Sequence, residues 1–188
     1  MGNKIVDSLH NNPIIAAVSD EKKLDEALSA DVEIVFILNS SIFDIDRQIK
    51  KIQAANKLAF VHVDLVDGIS SNKTGIRYIC EIFKPDGIIT TKSHLISACK
   101  NYDIMTIQRI FLLDSISLDT GISSINACNP DAVEILPNVV PKIVKKMVKE
   151  VRKPIITGGL ITEKEDVINS LKAGAIGAST SKVEIWGC

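Results

Sequence analysis

The chain alternates short apolar runs with amphipathic segments along almost its whole length. The apolar runs are rich in Ile and Val, which is typical of parallel strands that are covered on both faces. The predicted strands are Ile14–Val18, Glu33–Leu38, Leu58–Leu65, Gly87–Thr91, Met105–Ile110, Ala132–Leu136, Pro154–Thr157 and Ala175–Ala178. Helices are predicted to begin near Asp20, Ile42, Thr74, Ser93, Ser115, Val139 and Glu163. Eight strands separated by seven helices predict an α/β fold, a TIM (β/α)8 barrel, with a doubly wound open sheet as the alternative.

The pattern is incomplete after the eighth strand. Only Lys182–Cys188 remain there, too few for an outer helix, so we expect a single barrel domain over residues 1–188 with a truncated last βα unit. The barrel flank beside this strand, near Trp186, is then left partly uncovered. We expect either the N-terminal segment Lys4–Asn11 or a second subunit to cover it, and the second case predicts a homo-oligomer, most simply a dimer.

Composition narrows the class of protein. Hydrophobic residues make up 46% of the 188 positions and aromatic residues only 4%, so the core is aliphatic. The formal net charge of −1 gives no global attraction to nucleic acid or to an acidic membrane. We find no signal peptide and no apolar stretch of about 18 residues, and therefore expect no membrane association. The scattered cysteines favour reduced thiols in a cytoplasmic protein over disulfides or a zinc site; they are Cys80, Cys99, Cys128 and Cys188.

Two glycine-bearing segments near the end of the chain, Pro154–Leu160 and Gly174–Ser181, carry the clearest chemical signal. Each combines a short strand with a loop of small residues that leaves backbone N–H groups unpaired. Such loops on adjacent parallel strands can enclose one dianion, as they do after strands seven and eight of a barrel. The predicted phosphate-binding residues are Thr157, Gly158, Gly159, Ser179, Thr180 and Ser181. Taken alone, the two glycines at 158 and 159 are equally typical of a tight turn.

Polar residues at the ends of earlier strands point to the rest of a ligand. These residues are His62, Asp64, Lys92, Arg109 and Glu134. Cations balance the charge of a small polyhydroxylated phosphate, and carboxylates accept hydrogen bonds from its hydroxyls. Structural roles stay open for three of them: Asp64 as an acceptor for loop amides, His62 as a core residue and Lys92 as a helix-start residue. We expect no metal or other cofactor, although Asp64, Asp67 and Glu134 suit magnesium if they converge.

A basic stripe follows in the predicted helix that begins near Val139. It comprises Lys142, Lys145, Lys146 and Lys149, followed by Arg152 and Lys153. The spacings of three, four and seven place the lysines on one helix face. A solvated outer face is the ordinary interpretation of such a stripe. A patch for RNA phosphates is the alternative, and the low aromatic content argues against base stacking.

Several longer strings identify a family. They are His62-Val63-Asp64-Leu65-Val66-Asp67-Gly68, Asp86-Gly87-Ile88-Ile89-Thr90-Thr91-Lys92, Gln108-Arg109-Ile110-Phe111-Leu112-Leu113-Asp114-Ser115, Glu134-Ile135-Leu136-Pro137, Pro154-Ile155-Ile156-Thr157-Gly158-Gly159-Leu160-Ile161 and Ser179-Thr180-Ser181, with Trp186 near the end. In this order, and over nearly the whole length, the chain resembles the glycerol uptake operon antiterminator family, regulatory proteins that respond to glycerol 3-phosphate. Asn138 departs from the glycine expected after Leu-Pro, and Asn tolerates left-handed backbone well.

The resemblance implies a TIM barrel that binds glycerol 3-phosphate as an effector and has no catalytic residues. It also implies action on the leader mRNA of glycerol-catabolism genes, so that transcription passes a terminator. Without the resemblance, the residues predict only a barrel that binds phosphate. They leave open a barrel enzyme (an isomerase, lyase or phosphodiester hydrolase) that uses Asp64, Glu134 and His62 on a small sugar or glycerol phosphate. A sensor with a protein partner is the third alternative.

Overall fold

The computed structural model describes residues 4–138 and 141–187, and the predicted helix start near Val139 and the residue Cys188 lie outside them. Within these described residues, eight parallel strands form the barrel, labelled β1 to β8 in chain order. They are Ile14–Val18, Ile34–Ile37, Leu58–His62, Gly87–Thr90, Met105–Phe111, Ala132–Leu136, Ile155–Gly158 and Gly177–Thr180. Each strand pairs with the next, and β8 pairs with β1, where Ala178 lies opposite Ile14. This closure excludes the open sheet and confirms the TIM-barrel prediction.

In the part of the chain that the structure describes, eight α-helices surround or close the barrel, labelled α1 to α8. They are Lys4–Asn11, Glu21–Ser29, Ile45–Ala54, Lys73–Tyr78, Ser93–Cys99, Ser115–Cys128, Pro141–Glu150 and Lys164–Lys172. Short 3-10 turns span Val63–Leu65 and Val183–Ile185, and a π-helical turn spans Ile79–Phe83. Two-residue strands at Ser40–Ser41 and Val66–Asp67 pair above β2 and β3. None of the described helices is long and apolar enough to cross a membrane.

Strand alternation divides the core into two layers. Residues such as Ile15, Phe36 and Phe60 point into the barrel, whereas their neighbours such as Val35 and Val61 pack against the outer helices. This follows from the period of two along a strand, which sends successive side chains to opposite faces. Inward-facing positions at the carboxyl ends of the strands are therefore the ones that can build a site at the barrel mouth.

Helix α1 closes the opposite, N-terminal end of the barrel. Its buried residues Ile5 and Leu9 belong to the same apolar cluster as the inward-facing Phe36 and Phe60. Gly177 leaves room for this helix, because a Cβ there would lie 2.8 Å from the side chain of Leu9. The expectation that this segment covers the flank beside the last strand is therefore wrong. An amphipathic helix needs an apolar surface, and here the open end of the barrel supplies it.

The flank beside β8 is covered by the end of the chain itself. Trp186 is fully buried against the outer layer, and its indole Nε1 donates a hydrogen bond of 2.9 Å to the carbonyl of Thr180. The 3-10 turn Val183–Ile185 stands in place of a full helix, as the truncated last unit predicted. The dimer was expected because this flank would be uncovered, and the structure shows that it is covered. The oligomeric state stays a prediction.

Candidate ligand-binding site at the barrel mouth

A cavity of about 150 Å³ opens at the C-terminal mouth, between β5 and β8. Residues from six strand ends contribute to it. Its lining is Ala17, Leu38, Arg109, Glu134, Leu136, Gly159, Leu160, Ile161, Ser179, Thr180 and Ser181. The loops that follow β7 and β8 thus border one space, and two of the residues predicted for the glycerol end lie in it.

A buried ion pair forms the floor of this cavity. The Nε of Arg109 donates to Oε2 of Glu134 at 2.6 Å, and the hydroxyl of Ser179 donates to Oε1 of the same carboxylate. Glu134 is completely buried, and Arg109 is 8% exposed. Both carboxylate oxygens are therefore engaged by protein groups. The structure does not support the prediction that Glu134 faces ligand hydroxyls; this residue holds Arg109 and Ser179 in place.

Arg109 keeps donors for a ligand. Only its Nε has a hydrogen bond to a described residue, so its two terminal nitrogens have no described partner. Arginine carries five N–H donors in a planar fork, which suits the oxygens of a phosphate or a vicinal diol. Because Glu134 fixes the near edge of the guanidinium, the outer edge is oriented towards the cavity that Arg109 lines. The ion pair thus aims a cation at the space between the loops.

The two adjacent glycines have different physical roles. A Cβ on Gly158 would lie 2.6 Å from the hydroxyl of Ser179 and 2.7 Å from a carboxylate oxygen of Glu134, so this glycine makes room for the ion-pair network. Gly159 has a φ of +69°, in the left-handed region that favours glycine. Leu160 follows with a φ of +55°, which costs a residue with a side chain about 1–2 kcal/mol. Such strain is often found at functional loops.

This backbone conformation leaves amide donors at the mouth. No described residue accepts a hydrogen bond from the backbone N–H groups of Gly159, Leu160 or Ser181. All three residues line the cavity. The carbonyls of Gly158 and Gly159 are instead held by the backbone N–H of Asn138, at 2.9 and 3.2 Å. Asn138 itself is not left-handed, so the backbone conformation at this position does not require the glycine that the family pattern predicts.

Two predicted phosphate-binding hydroxyls point away from the cavity. Thr157 lies between the inward-facing Ile156 and Gly158, so its fully buried side chain faces the outer layer, and its Oγ1 has no partner among the described residues. The hydroxyl of Thr180 donates to the carbonyl of Ile161 at 2.8 Å. Both corrections follow from strand alternation, which places only every second side chain inside. Thr157 is not among the residues that line the cavity, and Thr180 lines it with its hydroxyl already engaged.

His62 lies on β3 in the barrel interior and has an unsatisfied nitrogen. The side chain is 4% exposed, its Nδ1 has no hydrogen-bond partner among the described residues, and the nearest carboxylate oxygen, on Asp64, is 4.0 Å away. Burial, and to a lesser extent the charge of Arg109, lower the pKa of His62 to about 4. The imidazole is therefore neutral at pH 7. A buried polar atom without a partner is costly, which makes this nitrogen a candidate ligand contact.

Asp64 lies in the 3-10 turn after β3, not on the strand itself, and is tied to the loop after β4. Its carboxylate accepts hydrogen bonds from the Thr90 hydroxyl and from the backbone N–H and hydroxyl of Thr91. Lys92 adds an ion pair at 3.7 Å. Burial by itself raises the pKa of Asp64, but these hydrogen bonds outweigh burial, so the pKa lies below its usual value. The structure thus supports the open alternative, in which Asp64 is an acceptor for loop groups.

The described residues do not support the magnesium alternative. Within residues 4–138 and 141–187, no group of three His, Cys, Asp or Glu side chains is close enough to hold an ion. Asp64 and Glu134, two of the three candidates, are separately engaged by Thr91 and Arg109.

The basic stripe lies on the outer face of α7, and none of its residues lines the cavity. Lys142, Lys145, Lys146 and Lys149 are exposed, while Val144 and Met147 are buried beneath them. Arg152 is exposed and Lys153 is half-buried beyond the end of the helix. Lys146 forms an ion pair of 3.9 Å with Asp119 on α6. The predicted amphipathic arrangement of the stripe is therefore present in the structure.

Comparison with known proteins decides the family. The family model described as glycerol-3-phosphate responsive antiterminator matches residues 14–186. The chain belongs to this family. The resemblance seen in the sequence is thereby confirmed.

Three relatives extend this comparison. The "Uncharacterized protein YgcP" of Escherichia coli (strain K12) is 36% identical over 178 residues, covering 95% of this chain and 93% of that protein. A crystal structure of the glycerol uptake operon antiterminator regulatory protein from Listeria monocytogenes str. 4b F2365 has a TM-score of 0.90 at 33% identity, covering 94% of this chain and 95% of that one. A glycerol uptake operon antiterminator-related protein from Thermotoga maritima MSB8 has a TM-score of 0.81 at 31% identity, covering 92% and 96%.

Sequence reasoning missed several residues at this site. Thr90 and Thr91 position Asp64, and Leu136 and Leu160 form apolar walls of the cavity. The threonines were visible as a polar pair directly before Lys92 at the end of a strand. No pattern in the sequence distinguishes the two wall leucines from ordinary core leucines, because their role depends on where the loops fold back.

Proposed function

We propose that the chain is a transcription antiterminator that responds to glycerol 3-phosphate. In the bound state it binds the leader mRNA of glycerol-catabolism genes and lets transcription pass a terminator. One observation carries the ligand part of this proposal: unpaired amides of Gly159, Leu160 and Ser181 and the terminal nitrogens of Arg109 border a single small cavity. Family membership supports the regulatory part.

The proposed pose follows from the donors. The phosphate accepts hydrogen bonds from the amides of Gly159, Leu160 and Ser181, in the manner of other backbone anion sites. Arg109 adds positive charge, and charge-assisted hydrogen bonds of this kind are about twice as strong as neutral ones. The glycerol end extends towards β3, where His62 offers the nitrogen that lacks a partner among the described residues. Asp64 and Lys92 stand behind it as an ion pair.

Two features favour binding over catalysis. A cavity of about 150 Å³ is small compared with the roughly 300–1,000 Å³ of drug-sized sites, which matches a three-carbon phosphate. The carboxylates that a barrel enzyme would use as acid and base already have protein partners. Glu134 is bound by Arg109 and Ser179, and Asp64 is bound by the loop after β4. We therefore propose that the ligand is an effector and not a substrate.

Calorimetric titration with glycerol 3-phosphate tests the ligand site. Gly159→Asp puts a carboxylate where the phosphate is proposed to lie, and we expect it to weaken binding at least a hundredfold. Gly159→Asn is the matched control, because it has nearly the same shape and the same tolerance of left-handed backbone without the charge. Unchanged affinity in Gly159→Asp would refute the pose.

Two further assays test the regulatory role with the pure protein. Glycerol 3-phosphate is expected to increase retention of the leader transcript. Incubation with triose phosphates or glycerophosphodiesters is expected to leave them unchanged, and turnover of either class contradicts the proposal.

A further inference from the structure

Large apolar side chains are exposed where β5 meets α6. Phe111 is 50% exposed at the end of β5, Leu113 is 80% exposed in the following loop, and Ile116 is 74% exposed in the first turn of α6. The loop is rigidly built, since Asp114 caps α6 and the Ser117 hydroxyl accepts from the backbone N–H groups of Leu113 and Asp114. These three side chains are called the apolar corner below. Large apolar side chains exposed within six residues of one another on a rigid loop are candidates for an interaction site.

The apolar corner adjoins the basic stripe on α7. Asp119 lies three residues after Ile116, which makes the two neighbours on the surface of α6. Lys146 of α7 reaches Asp119 at 3.9 Å. The exposed surface therefore continues from the corner, across this ion pair, to Lys142, Lys145 and Lys149. Helix α7 contains four lysines and one glutamate, so the surface is strongly positive along its length of about 15 Å.

The corner is connected to the ligand cavity through β6. Phe111 lies opposite Leu136 in the pairing of β5 with β6, and the backbone N–H of Leu112 donates to the Leu136 carbonyl at 2.7 Å. Leu136 in turn lines the cavity together with Leu160. A ligand that packs against Leu136 thus acts on the strand end that carries Phe111. The two surfaces share one structural element.

We propose that the leader RNA binds this continuous surface, with backbone phosphates on the lysines of α7 and unpaired bases against the apolar corner. This inference rests on the proposed function and assigns the protein face that it uses. A row of lysines attracts phosphates, and exposed apolar side chains suit bases that are splayed out of a helix. A second copy of the chain fits less well, because a twofold contact through the same surface brings two positive stripes into one interface.

Another exposed apolar residue at the mouth supplies the contrast. Phe43 is 92% exposed in the loop before α3, but its neighbours are acidic: Asp44 and Glu21 both pair with Arg47. This surface offers an aromatic ring without a surplus of positive charge. It is therefore a control position for the apolar corner.

Anisotropy titration of the labelled leader RNA, in the presence of glycerol 3-phosphate, tests the proposal. Replacing Lys142, Lys145 and Lys149 with Gln is expected to weaken binding at least tenfold. It should also lower the slope of log affinity against log salt by roughly two, since each single-strand phosphate contact contributes about 0.7. Replacing the exposed Lys22, Lys73 and Lys100 with Gln changes net charge equally and is expected to preserve the slope.

The apolar corner is tested with the pair Leu113→Ser and Ile116→Ser. We expect about tenfold weaker RNA binding with an unchanged salt slope, because no phosphate contact is lost. Phe43→Ser is the control and is expected to bind like the unmodified protein. All substituted side chains are exposed, so urea unfolding should confirm intact stability in each variant.

Coupling between the ligand site and the RNA surface gives a second measurement. If glycerol 3-phosphate raises the affinity for the RNA, the RNA must raise the affinity for glycerol 3-phosphate by the same factor, and the corner variants should reduce that factor. Control-like RNA binding by both the lysine and the corner variants would overturn the proposed surface while leaving the proposed function intact. So would a change of oligomeric state in the corner variant without loss of RNA affinity. If the unmodified protein binds glycerol 3-phosphate but no leader RNA, the proposed function fails and this surface with it.

Discussion

The interior of the barrel is filled by different kinds of side chain at its two ends. At the N-terminal end the strand interior is closed by a helix that inserts Ile5 and Leu9 among aliphatic and aromatic side chains. At the C-terminal mouth the interior is filled by an ion pair, Arg109 with Glu134, and by the neutral His62. One end is stabilised by burial of apolar surface; the other contains polar groups whose hydrogen-bonding capacity the protein does not use up.

The difference teaches where function can reside in this fold. At the N-terminal end, helix α1 is stabilised by buried apolar contacts that a ligand would not strengthen. The mouth contains an unpartnered imidazole nitrogen, unpaired amides and a strained Leu160, and each of these can be satisfied or relieved by a bound molecule. The four predictions below separate the two ends, from the largest expected effect to the smallest.

The largest effect is expected at the buried ion pair. Arg109→Met leaves the Glu134 carboxylate buried without its cation, and we expect a loss of about 4 kcal/mol in the free energy of unfolding, measured by urea titration. The double variant Arg109→Met, Glu134→Gln removes the uncompensated charge and should recover part of this loss. A single variant within 1 kcal/mol of the unmodified protein would show that the mouth is not held by this pair.

At the other end, Leu9→Ala is expected to lower the free energy of unfolding by about 3 kcal/mol, because it leaves a cavity under the barrel. The affinity for glycerol 3-phosphate, measured by calorimetry, should not change. Leu113→Ala removes an equal volume from an exposed site at the mouth and should stay within about 0.5 kcal/mol. Weakened ligand binding in Leu9→Ala would show that the two ends are coupled.

The lowered pKa of His62 predicts that the free energy of unfolding depends on pH. Its pKa is about 4 in the folded protein and 6.5 in the unfolded chain, so the unfolded state binds more protons between these values. The stabilisation is complete above pH 6.5 and is lost as pH falls, by about 2 kcal/mol between pH 7 and pH 5. Urea titrations over this range should show a shallower dependence in His62→Gln. Parallel curves for the two proteins would mean that His62 is not held neutral.

The smallest effect concerns the loop after β7. Leu160→Gly relieves a left-handed backbone conformation while losing little burial, and it should stabilise the protein by about 0.5 kcal/mol. Leu65→Gly, in the half-exposed 3-10 turn after β3, has no such strain to relieve and should be destabilising. Thermal unfolding of both variants distinguishes the two cases, and equal shifts would argue against strain at the mouth.

Much of the fold could be predicted from the sequence because its short apolar runs are well separated by amphipathic segments. The bounds of β1 and β6 agree with the prediction at both ends, and α5 and α6 begin at the predicted residues Ser93 and Ser115. The last strand is shifted, since Gly177–Thr180 was predicted as Ala175–Ala178. Small residues on both sides of Gly177 give no contrast between strand and loop, and the ends of such a run are set by pairing with β1.

The site could be predicted in outline but not in its hydrogen bonds. The loops at Gly159 and Ser181 border the cavity as the glycine pattern indicated. The inward or outward direction of Thr157 depends on where β7 begins, and an error of one residue reverses it. The partners of Glu134 come from strands 25 and 45 positions away in the chain, so only the closed barrel reveals that this carboxylate is already engaged.

Closure of the barrel has a consequence for how the protein is made. Strand β1 completes its pairing only with β8, whose partner residues lie about 160 positions later in the chain. At a synthesis rate of about 5–20 residues per second, the free edge of β1 waits roughly ten to thirty seconds on the ribosome before its neighbour is translated. Such long-range parallel pairing is slow and prone to association with other chains. The seam between the first and last strands is therefore the last part of the barrel to close during synthesis.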